Sequence, residues 1–262
     1  MDLISILRQI ARNQSDVRLL NIYKGLPISY DTNIVLVGSS QVQAPSSKTH
    51  IACLYYQGEA FMQGEDLPGI IRSRVVGLNL DKEYALFSNF ELAGTNIGKR
   101  TQIRVEPDDP LIAVTKFKGS AYEFLLPLAD ISLNGASVWF ESYMLPARLS
   151  TPGSELSMTI SLPDSVSRKI KKTSLKPGKS PLKMTSPLSA GQAAERDGQI
   201  IITANGKVVY VQSDKESNRY RMSVQLFFHD LSRMVVLQYI SQRQSEIIQD
   251  LRLLSEDLYN RK

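Results

Sequence analysis

Beyond its first helix-like stretch, the chain places its apolar side chains in short β-prone runs, each closed within a few residues by Gly, Pro, Asn or Asp. That punctuation constrains the fold more than any other feature, because no long helix tolerates it and a packed sheet needs it. Residues 33–37, 51–56, 70–76, 84–89, 111–116, 122–126, 136–140 and 156–161 read as strands, and strand-like runs resume at 199–203, 207–212 and 219–228. Many short strands with closely spaced turns imply barrels or sandwiches. Asn205-Gly206, between the first two of the late runs, predicts a tight hairpin.

Helical patterns frame these strands. Leu3, Ile6, Leu7 and Ile10 recur at helical spacing and predict a short amphipathic helix over residues 3–13. Residues 231–259 lack Pro and Gly and carry Leu237, Ile240, Ile247, Leu251, Leu254 and Leu258 in alternating three- and four-residue steps, which predicts a long helix. Arg233 and Gln244 interrupt its seam, and two uses of the stripe fit equally: packing on its own barrel, or pairing in a homodimer.

Residues 164–197 differ from their surroundings. They are rich in Lys, Ser, Pro and Gly, contain no aromatic residue, and are read as a flexible basic insertion that buries too little to offset its ordering entropy. Arg168, Lys169, Lys171, Lys172, Lys176, Lys179 and Lys183 in this segment supply much of the basic excess of a chain with net charge +5. Such a charge favours an anionic partner, whether nucleotide, nucleic acid or an acidic surface.

Several chemistries lack their residues. Cys53 is the sole cysteine, so no intramolecular disulfide forms, and no apolar run reaches membrane-spanning length; the expected location is the cytoplasm. The histidines are His50 and His229, too few beside one cysteine for a metal or nucleophile cluster. On the predicted strand 51–56 the odd separation of His50 and Cys53 would place them on opposite faces, against a dyad. No metal, cofactor or catalytic group is therefore expected, and the chain reads as a binding protein, not an enzyme.

The informative region begins at residue 98. Arg100 and Arg104 form R-x-x-x-R at the entry to a β run, preceded by Lys99, and Asp130-Ile131-Ser132-Leu133-Asn134-Gly135 forms a D-x-S-x-x-G turn ahead of Val138-Trp139-Phe140. Guanidinium groups suit phosphate and the O6/N7 edge of guanine, and a carboxylate accepts from guanine N–H donors. A glycine at the end of the turn permits a bend and a close backbone approach. Trp139, inside an apolar run, reads as core.

In order, spacing and β context, these two motifs resemble the two signatures of the PilZ family. The resemblance covers roughly residues 99–228, and the segment before it looks like the β-rich domain that accompanies PilZ in flagellar-brake-type proteins. It implies a mainly β fold of two β-barrels, an N-terminal PilZ-associated barrel (1–98) and a C-terminal PilZ barrel (99–262), with a short N-terminal helix and a long C-terminal one. It also implies cyclic di-GMP as the ligand, with Lys99, Arg100, Arg104, Asp130, Ser132 and Gly135 lining its site. The residue before the first arginine influences in this family whether one ligand or an intercalated pair binds. The expected function is a receptor that changes its interdomain arrangement on binding and acts through a protein partner in flagellar or polysaccharide machinery, with motility or biofilm as output. Two alternatives remain open at this level: a basic β-barrel protein binding nucleic acid through 168–183, and an assembly adaptor with a degenerate PilZ site.

Overall fold

The computed structural model describes residues 2–94, 102–141, 143–144, 147–163, 194–196, 199–214 and 219–260. The fold is mainly β, with two seven-stranded sheets and helices at both ends. By contacts the chain divides into two units, one of residues Met1–Thr101 with Ser245–Lys262 and one of Gln102–Gln244.

The first unit opens with helix α1 (Leu3–Asn13). Its start is fixed by Asp2, whose carboxylate accepts from Ile4 N at 3.1 Å, and its end by Gln14 in the left-handed conformation. The sheet comprises β1 (Asp16–Tyr23), β2 (Leu26–Asn33), β3 (Leu36–Val37), β4 (Val42–Pro45), β5 (Glu59–Gln63), β6 (Ile71–Asn79) and β7 (Tyr84–Leu92), ordered β2-β1-β5-β6-β7-β4-β3. Leu7 and Ile10 of α1 are buried in one core with Val17, Leu19, Val42, Met62, Ile71 and Phe87. The apolar stripe legible in residues 3–13 therefore covers one side of this sheet.

Between β4 and β5 stands helix α2 (Lys48–Gln57), where the sequence predicts a strand. Ser47 caps it by accepting from His50 N, and Gly58 closes it with φ of 67°. These two caps decide a run whose all-apolar character suits either structure. His50 and Cys53, three residues apart on a helix, both face the interior instead of opposing each other. His50 is 1% exposed: its Nε2 donates to Asn21 Oδ1 at 3.0 Å, which leaves Nδ1 to accept from Ser46 Oγ at 2.7 Å. Burial lowers its pKa to about 4 and pushes the Cys53 thiol up to about 12, so both are neutral core groups.

In the second unit β8 (Ile112–Phe117), β9 (Glu123–Ser132), β10 (Gly135–Phe140), β14 (Arg219–Phe227), β13 (Gln199–Asp214) and β11 (Glu155–Leu162) pair in that order, and β11 returns to pair with β8. The ring is a closed six-stranded barrel, which leaves no free edge among its members. The short strand β12 (Ala194–Arg196), within the last residues of the predicted insertion, pairs with the start of β13; most of 164–197 lies outside the described residues. Helix α3 (Asp230–Asn260) follows β14. Its Arg243, 3% exposed, donates to Glu106 O and Asp108 Oδ1, both at 2.9 Å.

The predicted hairpin at Asn205-Gly206 does not form. β13 runs unbroken through both residues because they are where it is held on two sides at once, Asn205 and Gly206 facing Ser157 and Leu156 of β11 and Phe227 and Leu226 of β14. A Cβ on Gly206 would lie 2.5 Å from Gln225 O, so this glycine serves close strand approach rather than a turn. A local turn signal worth little in free energy yields to ladder bonds on both edges.

Candidate functional site

The register of β9 carries the site. Leu128 pairs with Val138 and Ile131 with Ala136, so these four share the face turned to the barrel interior. Strict alternation from Leu128 would put Asp130 on that interior face as well. A shift of register between Ser137 and Val138 leaves Ala129 as an extra residue, and this bulge turns Asp130 to the outer face opposite Ser137. The same face carries Ser132 and Gly135 of the hairpin, Trp139 of β10, and Arg221 and Ser223 of β14, which lie directly opposite Trp139 and Ser137.

Asp130 is only 2% exposed, and its carboxylate is shared by two arginines. Arg104 Nη1 donates to Oδ1 at 3.3 Å and to Ser137 Oγ at 3.2 Å, while Arg221 Nη2 donates to Oδ2. Ser137 and Ser223 hydroxyls lie 3.1 Å apart, extending the polar row. The Arg221 guanidinium sits over the Trp139 ring, 5.5 Å from its centroid. Two cations against one carboxylate leave the cluster with a net positive charge, and the arginine side chains keep 24% (Arg104) and 32% (Arg221) of their exposure. The arrangement is a pair of partly exposed arginines anchored on one buried carboxylate.

The backbone explains why Arg104 arrives there. Val105 exchanges both backbone hydrogen bonds with Ile131, at 3.0 and 3.1 Å, beyond the stretch of β9 that β8 pairs with. The residue next to Arg104 is thus bridged to β9, which fixes where Arg104 enters the face. Lys99 and Arg100 lie outside the described residues.

The D-x-S-x-x-G residues occupy a β-hairpin in which Ser132 pairs with Gly135 across the two residues Leu133 and Asn134. Ser132 Oγ donates to Gly135 O at 3.1 Å, so the serine closes the hairpin. Gly135 is required by packing: a Cβ there would stand 2.4 Å from Val224 O. Trp139, read from sequence as core, is partly exposed on the outer face beneath Arg221. Of the predicted residues the structure brings together Arg104, Asp130, Ser132 and Gly135. Arg221 and Ser137 belong to the same cluster and were missed; Arg221 sits in a strand with no motif of its own, 91 positions from Asp130.

Neither a protein-family model nor a curated protein sequence matches the chain. Solved structures similar to it include the K. pneumonia MrkH–c-di-GMP complex, at 12% identity over 99% of this chain and 95% of that one, with a TM-score of 0.39. The Bacillus subtilis inhibitor of motility MotI/DgrA is 14% identical over 89% of this chain and 97% of its own, with a TM-score of 0.39. The PilZ domain of YcgR from Escherichia coli with c-di-GMP is 13% identical, covers 58% of this chain and 96% of its own, and gives a TM-score of 0.38. The last of these is a structure of a PilZ domain, the family whose two signatures the Arg100/Arg104 and Asp130-to-Gly135 motifs resemble.

Proposed function

We propose that the chain is a receptor for cyclic di-GMP that binds its ligand on the outer face of the closed barrel. The observation that carries this reading is the buried Asp130 carboxylate holding the half-buried guanidinium of Arg104 at a bulge, with a polar strip beside it. A cyclic dinucleotide presents phosphates and guanine O6/N7 acceptors, both of which match a guanidinium fork. Ser132 and Gly135 shape the hairpin at the rim of this face. Arg100 joins the site on the strength of the R-x-x-x-R pattern, and Lys99 as the residue immediately before it. MrkH and YcgR have been solved as c-di-GMP complexes, and MotI/DgrA is an inhibitor of motility.

On this reading binding changes the arrangement of the two β domains and thereby the surface offered to a protein partner, with motility, exopolysaccharide or biofilm formation as the output. A ligand drives such a change only by its differential affinity for the two arrangements. Calorimetric titration with cyclic di-GMP, cyclic di-AMP and GTP tests the proposal. Binding selective for cyclic di-GMP supports it; equal affinity for all three, or none for any, refutes it.

A further inference from the structure

We propose that Arg221 is a ligand-contacting residue of this site and that Asp130 is a positioning residue for Arg221 and Arg104, not a reader of the base. The inference deepens the receptor reading above and rests on it.

Asp130 is almost fully enclosed, and each of its carboxylate oxygens already accepts from an arginine. The lone pairs that the arginines leave open are enclosed with the rest of the side chain, 2% exposed, so a base donor has little access to them. Arg221 has the opposite character. One edge of its guanidinium is fixed by Asp130, one face is fixed by the Trp139 ring, and 32% of the side chain remains exposed. A planar cation held on two sides loses little further freedom when its remaining N–H groups meet a phosphate or a guanine edge. Arg104 is held in the same way by Asp130, by Ser137 and by the Val105 bridge to Ile131. The two arginines therefore form a preorganised pair with one carboxylate between them, suited to an anionic nucleotide and poorly suited to a neutral ligand.

Trp139 makes the assignment measurable, since it is the chain's single tryptophan and lies under Arg221. Cyclic di-GMP is titrated into the full chain while its tryptophan emission is followed, alongside calorimetry, for wild type, Arg221→Leu, Arg221→Lys and Asp130→Asn. The expected result is a saturable emission change in the wild type, a tenfold or greater loss of affinity in Arg221→Leu, and a smaller loss in Arg221→Lys. The lysine variant keeps a charge for Asp130, so it preserves the fold if the leucine variant does not. Asp130→Asn keeps an acceptor oxygen, weakens binding less than Arg221→Leu, and leaves the preference over cyclic di-AMP intact. Affinity within twofold of wild type in both Arg221 variants overturns the assignment while sparing the receptor reading. Loss of the preference in Asp130→Asn restores the carboxylate as the base reader and overturns its positioning role. A wild type that does not bind cyclic di-GMP overturns the receptor reading and this assignment with it.

Discussion

Removal of the Asp130 carboxylate is the perturbation whose cost the geometry defines best. In Asp130→Ala two guanidinium groups, Arg104 and Arg221, lose their common partner on a face where Ser137 and Ser223 are also buried. Hydrogen bonds to charged groups contribute about 1.5–3 kcal/mol each, and breaking a buried ion pair from one side costs about 3–5 kcal/mol. Both arginines retain part of their exposure and regain some hydration, which lowers the expected loss to about 2–3 kcal/mol. Urea unfolding followed by Trp139 emission reports on the barrel that holds the site, because no other tryptophan contributes. With a slope of roughly 1–3 kcal/mol/M the midpoint falls by about 0.7–3 M. A shift equivalent to less than about 0.5 kcal/mol, the range of ordinary surface substitutions, would refute the account of a carboxylate shared by two arginines.

Gly206→Ala and Gly135→Ala each place a methyl group within 2.5 Å of a backbone oxygen, and thermal or urea unfolding should show losses of about 1–3 kcal/mol, whereas Gly94→Ala, which meets nothing within 4 Å, should be neutral. An unchanged Gly206→Ala would contradict the close approach of β13 and β14 at this glycine. His50, whose folded pKa is lowered from 6.5 to about 4, stays neutral while the unfolded chain takes up a proton. Stability from this group is therefore full above about pH 6.5 and declines as pH falls toward 4, by about 3 kcal/mol in total. Histidine NMR, with His229 as the only other such signal, checks this: a His50 resonance titrating near pH 6.5 in the folded chain would contradict it. Small-angle scattering should change on saturation with cyclic di-GMP, and superimposable curves would exclude a large rearrangement of the two domains.

The terminal helices were legible because their apolar stripes are long or cleanly spaced and nothing competes with them. Residues 51–56 were misread since a short, wholly apolar run has no period; Ser47 and Gly58, both visible in the sequence, carry the information that decides it. Asp130 and Arg104 were legible as motif residues, but their relation was not. It depends on a bulge at Ala129 and a two-bond bridge at Val105, neither of which has a composition signature. Arg221 was invisible for a related reason. Only the register of β14 on β10 brings it over Trp139 and onto Asp130, and register between strands this far apart in sequence is set by the closed barrel, not by local preference.

The central claim is that cyclic di-GMP is bound by the arginine cluster on the outer face of this barrel. Calorimetry with the wild type, the double variant Arg100→Ala/Arg104→Ala and the control Lys171→Ala tests it most directly. Each lost charge-assisted contact weakens binding by about one to two decades, so the double variant should show no measurable heat at concentrations that saturate the wild type, while Lys171→Ala binds as the wild type does. Equal affinity in the wild type and the double variant would contradict the claim.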